Sequence, residues 1–272
     1  ETIKPTVKET NLSDKQVGKG EFDHFMLKEI YEQPTVIGES LNAYFNPVTR
    51  NIQLPECPFD LSAVPSITII ACGTSYFAAS VAKYWFESVA RIPVEVEIAS
   101  EFRYRNSVMP AGGLSIFVSQ SGETVDTLAA LRYAKEQGQH VAAIVNVPES
   151  AIAREADVVF PTHAGPEIGV ASTKAFTCQL VVLACLSIAV AVTRGTLDQE
   201  SQARLCRAIA EVPARAAEVL NHDERLRELS TEIGKARDVL YIGRGTSSAV
   251  ALEGALKLKE ISYIHAEGFP AG

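Results

Sequence analysis

The feature that most constrains this chain is a rhythm between residues 66 and 161. Short apolar runs, SITIIAC (66–72), VEVEIA (94–99), LSIFVS (114–119), HVAAIVN (140–146) and ADVVFP (156–161), alternate with segments of helical spacing. Those helical segments are 75–89, 100–104, a stretch opening at Thr124, and 150–155. Short apolar strands alternating with helices in this way read as an α/β domain with a mostly parallel sheet. The expectation is an α/β fold with three layers, α/β/α. In such sheets ligands bind beyond the carboxyl ends of the strands, so chemistry is sought in the turns that leave them.

On either side of that rhythm the pattern changes. Residues 1–22 are polar and read as a linker from something upstream. Residues 22–45 carry helical spacing through Met26, Ile30 and Tyr31, and Pro34 predicts a break into two short helices. Pro47, Pro55, Pro58 and Pro65 predict an irregular connection over 46–65. A long helix is expected over 172–193, and its stretch CQLVVLACLSIAVAV (178–192) is shorter than a membrane span and interrupted by Gln179 and Ser187. It predicts a helix buried in a domain core or a subunit interface. Two further helices are expected over 199–221 and 222–235.

At DVLYIG (238–243) the strand pattern restarts, and the restart is a repeat. Gly73-Thr74-Ser75 follows the strand ending at Cys72, and Gly245-Thr246-Ser247 stands in the same strand–turn–helix setting 172 residues later. A shared tripeptide in a shared setting points to two related domains. The same displacement carries Ser119 to position 291, past Gly272, so the second copy reads as incomplete. The domain reading is therefore 1–22 linker, 23–195 first domain with N-terminal helices, and 196–272 connecting helices with the start of a second domain.

Three hydroxyl-rich turns lie at expected helix entrances: Thr74 and Ser75; Ser119, Gln120, Ser121 and Thr124 around Gly122; and the segment Gly169 to Lys174 with Val170 and Ser172. Each alone fits helix capping, because Ser and Thr accept N–H bonds there. Three on one domain point instead to a crevice where hydroxyls and backbone N–H groups converge on a phosphate with a polyol beside it. Lys257 and Glu260 are three apart on an expected helix and share a face. In solvent they form an ordinary ion pair. In a cleft a lysine can assist at a ketose carbonyl and a carboxylate can carry a proton between adjacent carbons.

Other chemistries fit poorly. A net charge of −8 and a pI near 5.3 argue against a general nucleic-acid binder. Five widely spaced cysteines form no C-x-x-C or zinc spacing and read as reduced thiols. The five histidines show no metal spacing, GRGTSS (243–248) lacks the third glycine of a dinucleotide fingerprint, and no G-K-[ST] loop is present.

CGTS (72–75), SQSGET (119–124), VASTKAF (170–176) and LEGALKLKEISYIHAE (252–267) together resemble the sugar isomerase (SIS) domains of the glutamine–fructose-6-phosphate aminotransferase family, and FMLKEIYEQP (25–34) resembles the segment following that family's glutaminase domain. The resemblance covers about Asp23 to the end. It implies a tandem SIS fold, a reaction from fructose 6-phosphate and glutamine-derived ammonia to glucosamine 6-phosphate, no metal or redox cofactor, a cytoplasmic homodimer, and neither membrane nor nucleic acid as partner. It implies sugar-phosphate contacts at Thr74, Ser75, Ser119, Gln120, Ser121 and Thr124, with Val170 and Ser172 close by. It implies proton transfer by Glu260 and assistance by Lys257. The family's glutaminase domain, its ring-opening histidine stretch and its C-terminal lysine are not in this sequence, so the chain alone is not expected to carry out the full reaction. The alternative is a non-catalytic SIS module sensing a sugar phosphate. A third reading, a simple aldose–ketose isomerase, sits poorly with a second domain that has begun.

Overall fold

The computed structural model describes residues 17–272, so most of the expected linker over 1–22 lies outside the described residues. The first long element is a single helix, α1 (Phe25–Tyr44), with Pro34 inside it. The two short helices expected there are one. Proline removes the N–H that would bond the carbonyl four residues back, and here the Gln33 side chain donates to that carbonyl, of Ile30, at 3.3 Å. A two-residue hairpin, β1 (Phe45–Asn46) and β2 (Asn51–Ile52), follows within the proline-rich connection.

The alternating segment forms a five-stranded sheet: β3 (Ile67–Ala71), β4 (Val94–Ile98), β5 (Leu114–Ser119), β6 (His140–Val145) and β7 (Val158–Pro161). Every pairing is parallel, and the order is β4-β3-β5-β6-β7. Residues of β3 and β5 are buried throughout, which is why those strands read as largely apolar runs broken only by Thr68, Ser115 and Ser119. The intervening helices are α2 (Gly73–Trp85, extended by one π-helical turn over Phe86–Ala90), α3 (Ala99–Phe102), α4 (Val125–Glu136) and α5 (Ala151–Glu155). After β7 comes α6 (Lys174–Thr193).

Side chains alternate across the sheet and build two cores. Ile67, Ile69, Ile116 and Ile144 pack with α1, α2 and α6 on one face. Ile70, Phe117, Ala143 and Val145 pack with α3, α4 and α5 on the other. That is the three-layer arrangement expected. The strikingly apolar α6 is long enough to cross a membrane, yet most of it is buried inside this domain. Of the two places expected for it, it occupies the domain core.

The helix expected over 199–221 is two, α7 (Gln199–Ala210) and α8 (Val212–Leu220). Pro213 stands in the first turn of α8, where a missing N–H costs nothing, so it starts a helix rather than continuing one. After α9 (Asp223–Ile233), β8 (Asp238–Gly243), α10 (Thr246–Ser262) and β9 (His265–Pro270) form a β-α-β unit with parallel strands. No strand was expected at 265–270.

The repeat is geometrical as well as sequential. Shifted by 172 residues, β3, α2 and β4 fall on β8, α10 and β9. Gly73 and Gly245 both take left-handed backbone, φ +55° and +58°, at the two helix entrances. The equivalent helices α2 and α10 pack on each other. That packing brings the second copy's helix to the strand ends of the first.

Candidate functional site

In the order β4-β3-β5 the chain leaves β3 for one side, then returns to lay β5 on the other. The crevice between the carboxyl ends of β3 and β5 is thus the switch point, where doubly wound sheets bind ligands. An open cleft of about 260 Å³ lies there. Cys72, Thr74 and Ser75 line it from the end of β3, and Val118, Ser119, Gln120, Ser121 and Thr124 from the end of β5. Val170 and Ser172 line it from the loop before α6, and Lys257 and Glu260 from α10. Every site residue expected from the sequence borders this one cleft.

The capping explanation of the hydroxyls can be checked directly. At the cap positions of α2, α4 and α6, occupied by Cys72, Thr124 and Thr173, no side chain of the cap residue bonds the helix N–H groups. The entrance of α6 is capped by Glu167, whose Oε1 accepts from the N–H of Thr173 at 2.9 Å and of Ala175 at 3.1 Å. The hydroxyls are committed in another way. Ser75 Oγ accepts from Gln179 Nε2 at 2.9 Å, Ser119 Oγ from the N–H of Gly122 at 3.0 Å, and Ser121 Oγ from the N–H of Glu123 at 3.2 Å. A hydroxyl that already accepts has its own hydrogen left to give. Ser119 shares a further contact of 3.0 Å with the Thr124 hydroxyl. The turn therefore presents oriented donors without a fixed positive charge, which suits an oxyanion with several oxygens.

Glycine is required at the centre of this turn. Gly122 has φ +66°, and a Cβ there would stand 1.9 Å from Ser150 Oγ. The turn also packs on the next loop through the Gly122 carbonyl, which accepts from the N–H of Ile152 at 3.0 Å.

The third wall is held by carboxylates. Glu29, buried on α1, accepts from the N–H of Ile168 at 2.6 Å and of Gly169 at 3.0 Å. Glu167 Oε2 accepts from Ser172 Oγ at 2.8 Å. Lys174, buried at the start of α6, donates to Glu32 of α1 at 2.7 Å. These bonds pin the loop that carries Val170, which is 95% exposed at the rim. Ser172 gives its hydrogen to Glu167 and so faces the cleft chiefly as an acceptor.

On α10, Lys257 Nζ donates to Glu260 Oε2 at 2.7 Å. The sequence reading missed Glu253, one turn before Lys257 on the same helix. It is 6% exposed, and its Oε1 lies 3.7 Å from Lys257 Nζ and accepts from Thr74 Oγ1 at 3.1 Å. Burial pushes the Glu253 carboxyl up to about 7, with the nearby Lys257 ammonium and the Thr74 hydroxyl opposing that rise. The i,i+4 spacing to Lys257 was visible in the sequence; the contact with Thr74, from the other copy, was not. The buried thiols of Cys178 and Cys185 are pushed up to about 12 by burial, so neither is placed to act as a nucleophile.

A family model described as SIS domain matches residues 60–189 and 232–272. Among curated relatives, the isomerizing glutamine–fructose-6-phosphate aminotransferase of Zymomonas mobilis is 57% identical over 263 residues, 97% of this chain and 43% of that protein. The enzyme of the same name from Bradyrhizobium diazoefficiens is 58% identical over 257 residues, 94% of this chain and 42% of that protein. The chain thus spans less than half the length of these relatives. Among solved structures, the C-terminal domain of glucosamine-fructose-6-phosphate aminotransferase from Francisella tularensis superposes with a TM-score of 0.90 at 43% identity, covering 93% of this chain and 71% of that one.

Proposed function

Because the chain belongs to the SIS domain family, and within it to the C-terminal domains of the glutamine–fructose-6-phosphate aminotransferases, we propose that it is the sugar-phosphate-binding and isomerase part of a glucosamine-6-phosphate synthase. The observation that carries this reading is the single cleft in which the hydroxyl cradle of the first copy meets Lys257 and Glu260 of the second.

In this reading the phosphate of fructose 6-phosphate sits against the β5–α4 turn, where Ser119, Ser121 and Thr124 supply hydroxyls and Gln120 an amide. Thr74, Ser75, Ser172 and the backbone at Val170 meet the sugar hydroxyls. Ammonia from a glutaminase domain condenses at C2 with loss of water. Glu260 then removes a proton from C1 as the imine nitrogen is protonated, giving an enolamine, and returns the proton to C2 as the O1 hydroxyl loses its own, which leaves the aldose amine. Lys257 steadies the developing charge near the carbonyl carbon and, through its 2.7 Å bond to Glu260, orients that carboxyl for the two transfers. A homodimer and a cytoplasmic location complete the proposal, the latter in keeping with five free thiols.

The test is isotopic. Full-length protein is given fructose 6-phosphate deuterated at C1, and label is followed into C2 of the product and into solvent. Transfer to C2 in the wild type, lost in Glu260→Gln, is the expected result. Transfer that persists in Glu260→Gln removes Glu260 from the role. Saturable sugar-phosphate binding with no turnover in the full-length protein would favour the sensing module instead.

A further inference from the structure

Glu29 is a buried carboxylate to which the proposed chemistry gives no task. It stands on α1, outside both copies of the β-α-β unit. Its Oε1 accepts from two successive N–H groups of the loop before α6, those of Ile168 at 2.6 Å and Gly169 at 3.0 Å. Its Oε2 is buried with no hydrogen-bond partner. Further along the same loop, Glu167 Oε1 takes the N–H groups of Thr173 and Ala175. Between the two clamps lie Val170, Ala171 and Ser172, whose N–H groups have no acceptor among the described residues. Val170 and Ser172 border the cleft.

A backbone N–H is an obligatory donor, so an ordered stretch with several unclaimed ones is open to a ligand or to water. The two clamps differ in reach. Glu167 ties the loop to itself, whereas Glu29 comes from 139 and 140 residues away and ties its leading end to the body of the protein. Gly169 shows how close that contact is: a Cβ there would stand 2.6 Å from Glu29 Oε2 and 3.4 Å from the Met26 backbone. The carboxylate and the glycine are two halves of one fit.

We propose that Glu29 is a positioning residue for the sugar end of the site: by holding the Ile168 and Gly169 N–H groups it sets the backbone of Val170 to Ser172 against the cleft, and with it the preference for a phosphorylated sugar over bare phosphate. It acts through the loop backbone and does not touch substrate. The turn that carries Ser119, Ser121 and Thr124 rests on its own bonds and on the Ile152 N–H, none of them to Glu29. The two ends of one ligand are therefore held by separate supports. The inference rests on the proposed sugar-phosphate reading and adds to it a residue that the reading does not require.

The experiment measures dissociation constants of fructose 6-phosphate and of inorganic phosphate on the full-length protein, for wild type, Glu29→Ala and Gly169→Ala. In Glu29→Ala fructose 6-phosphate should bind about tenfold more weakly, the loss of one hydrogen bond at the sugar, with inorganic phosphate within about twofold. Gly169→Ala, which opens the same contact from the loop side, should show the same selective loss. Turnover should split alike, with KM for fructose 6-phosphate raised about tenfold and kcat within about threefold. A ratio of the two dissociation constants that stays at its wild-type value in both variants would overturn the proposal. So would an equal weakening of both ligands, which is what general loosening of the fold gives. Should Glu29→Ala fail to fold, Gly169→Ala decides alone by the same ratio. A wild type that binds no fructose 6-phosphate strikes the proposed function itself, whereas one that binds it, with the ratio unaltered in the variants, strikes only the role of Glu29.

Discussion

The two copies of one β-α-β unit make the instructive comparison. In the first copy, β3-α2-β4, the leading strand β3 is buried and the helix entrance faces the cleft with Thr74 and Ser75. In the second, β8-α10-β9, the corresponding Thr246 and Ser247 do not border that cleft, and it is the body of the helix that does, through Lys257 and Glu260. Positions equivalent to Lys257 and Glu260 in the first copy are Trp85 and Ser88. In the proposed reading one backbone plan serves two ends: its helix entrance binds and the C-terminal part of its helix acts. Packing α2 against α10 is what lets one site use both.

The largest expected effect breaks the equivalence at its chemical end. Glu260→Gln should lower turnover of fructose 6-phosphate by about 100- to 10,000-fold in the full-length protein, the range for a general acid–base group. Ser88→Ala, at the equivalent position of the first copy, should leave turnover within about twofold, since Ser88 is exposed and its hydroxyl bonds the Trp85 carbonyl at 3.3 Å. Comparable losses in both would mean that the copies are not specialised.

Stability supplies the next contrast. Ile70 of β3 and Ile242 of β8 occupy equivalent positions, yet Ile70 is 0% exposed and Ile242 is 67% exposed. Ile70→Ala should cost about 3 kcal/mol and Ile242→Ala less than about 0.5 kcal/mol in chemical denaturation of this chain. Gly122→Ala tests the cradle's backbone on the same scale. With φ at +66° and Ser150 in the way, it should cost about 2 kcal/mol and weaken sugar-phosphate binding together with stability.

The smallest effect concerns pH. Burial raises the folded Glu253 carboxyl from its ordinary value of 4.5 to about 7, so the folded state binds more protons than the unfolded one between those values. Stability from this group is full below about 4.5 and declines as pH rises to about 7. Glu253→Gln should remove that decline, so that its melting temperature exceeds the wild type's by a few degrees at pH 8 and matches it near pH 5. Parallel melting curves at both pH values would contradict the assignment.

Much of this architecture could be read from residues. Central strands such as β5 announce themselves because burial on both faces favours a largely apolar sequence, and the G-T-S repeat announced the second copy. What the sequence hid was compensation at a distance. Pro34 reads as a break until the Gln33 side chain is seen on the Ile30 carbonyl. Pro213 reads as an interruption, though it opens a new helix. β9 was missed because HAEGFP has no apolar run; it is held by its parallel pairing to β8. In the site, the residues that border the cleft were legible as hydroxyl clusters, whereas Glu253 and Glu29 were not. Their importance comes from partners 179 and about 140 positions away along the chain, which no local pattern encodes.

The central claim is that the first copy forms a cradle for a sugar phosphate, and calorimetric titration of this 272-residue chain tests it most directly. Fructose 6-phosphate should bind saturably, inorganic phosphate more weakly and fructose not measurably, and Ser119→Ala combined with Ser121→Ala should abolish the binding. A folded chain that binds none of them, or a double variant that binds as the wild type does, would reduce the SQSGET turn to a structural feature and contradict the account.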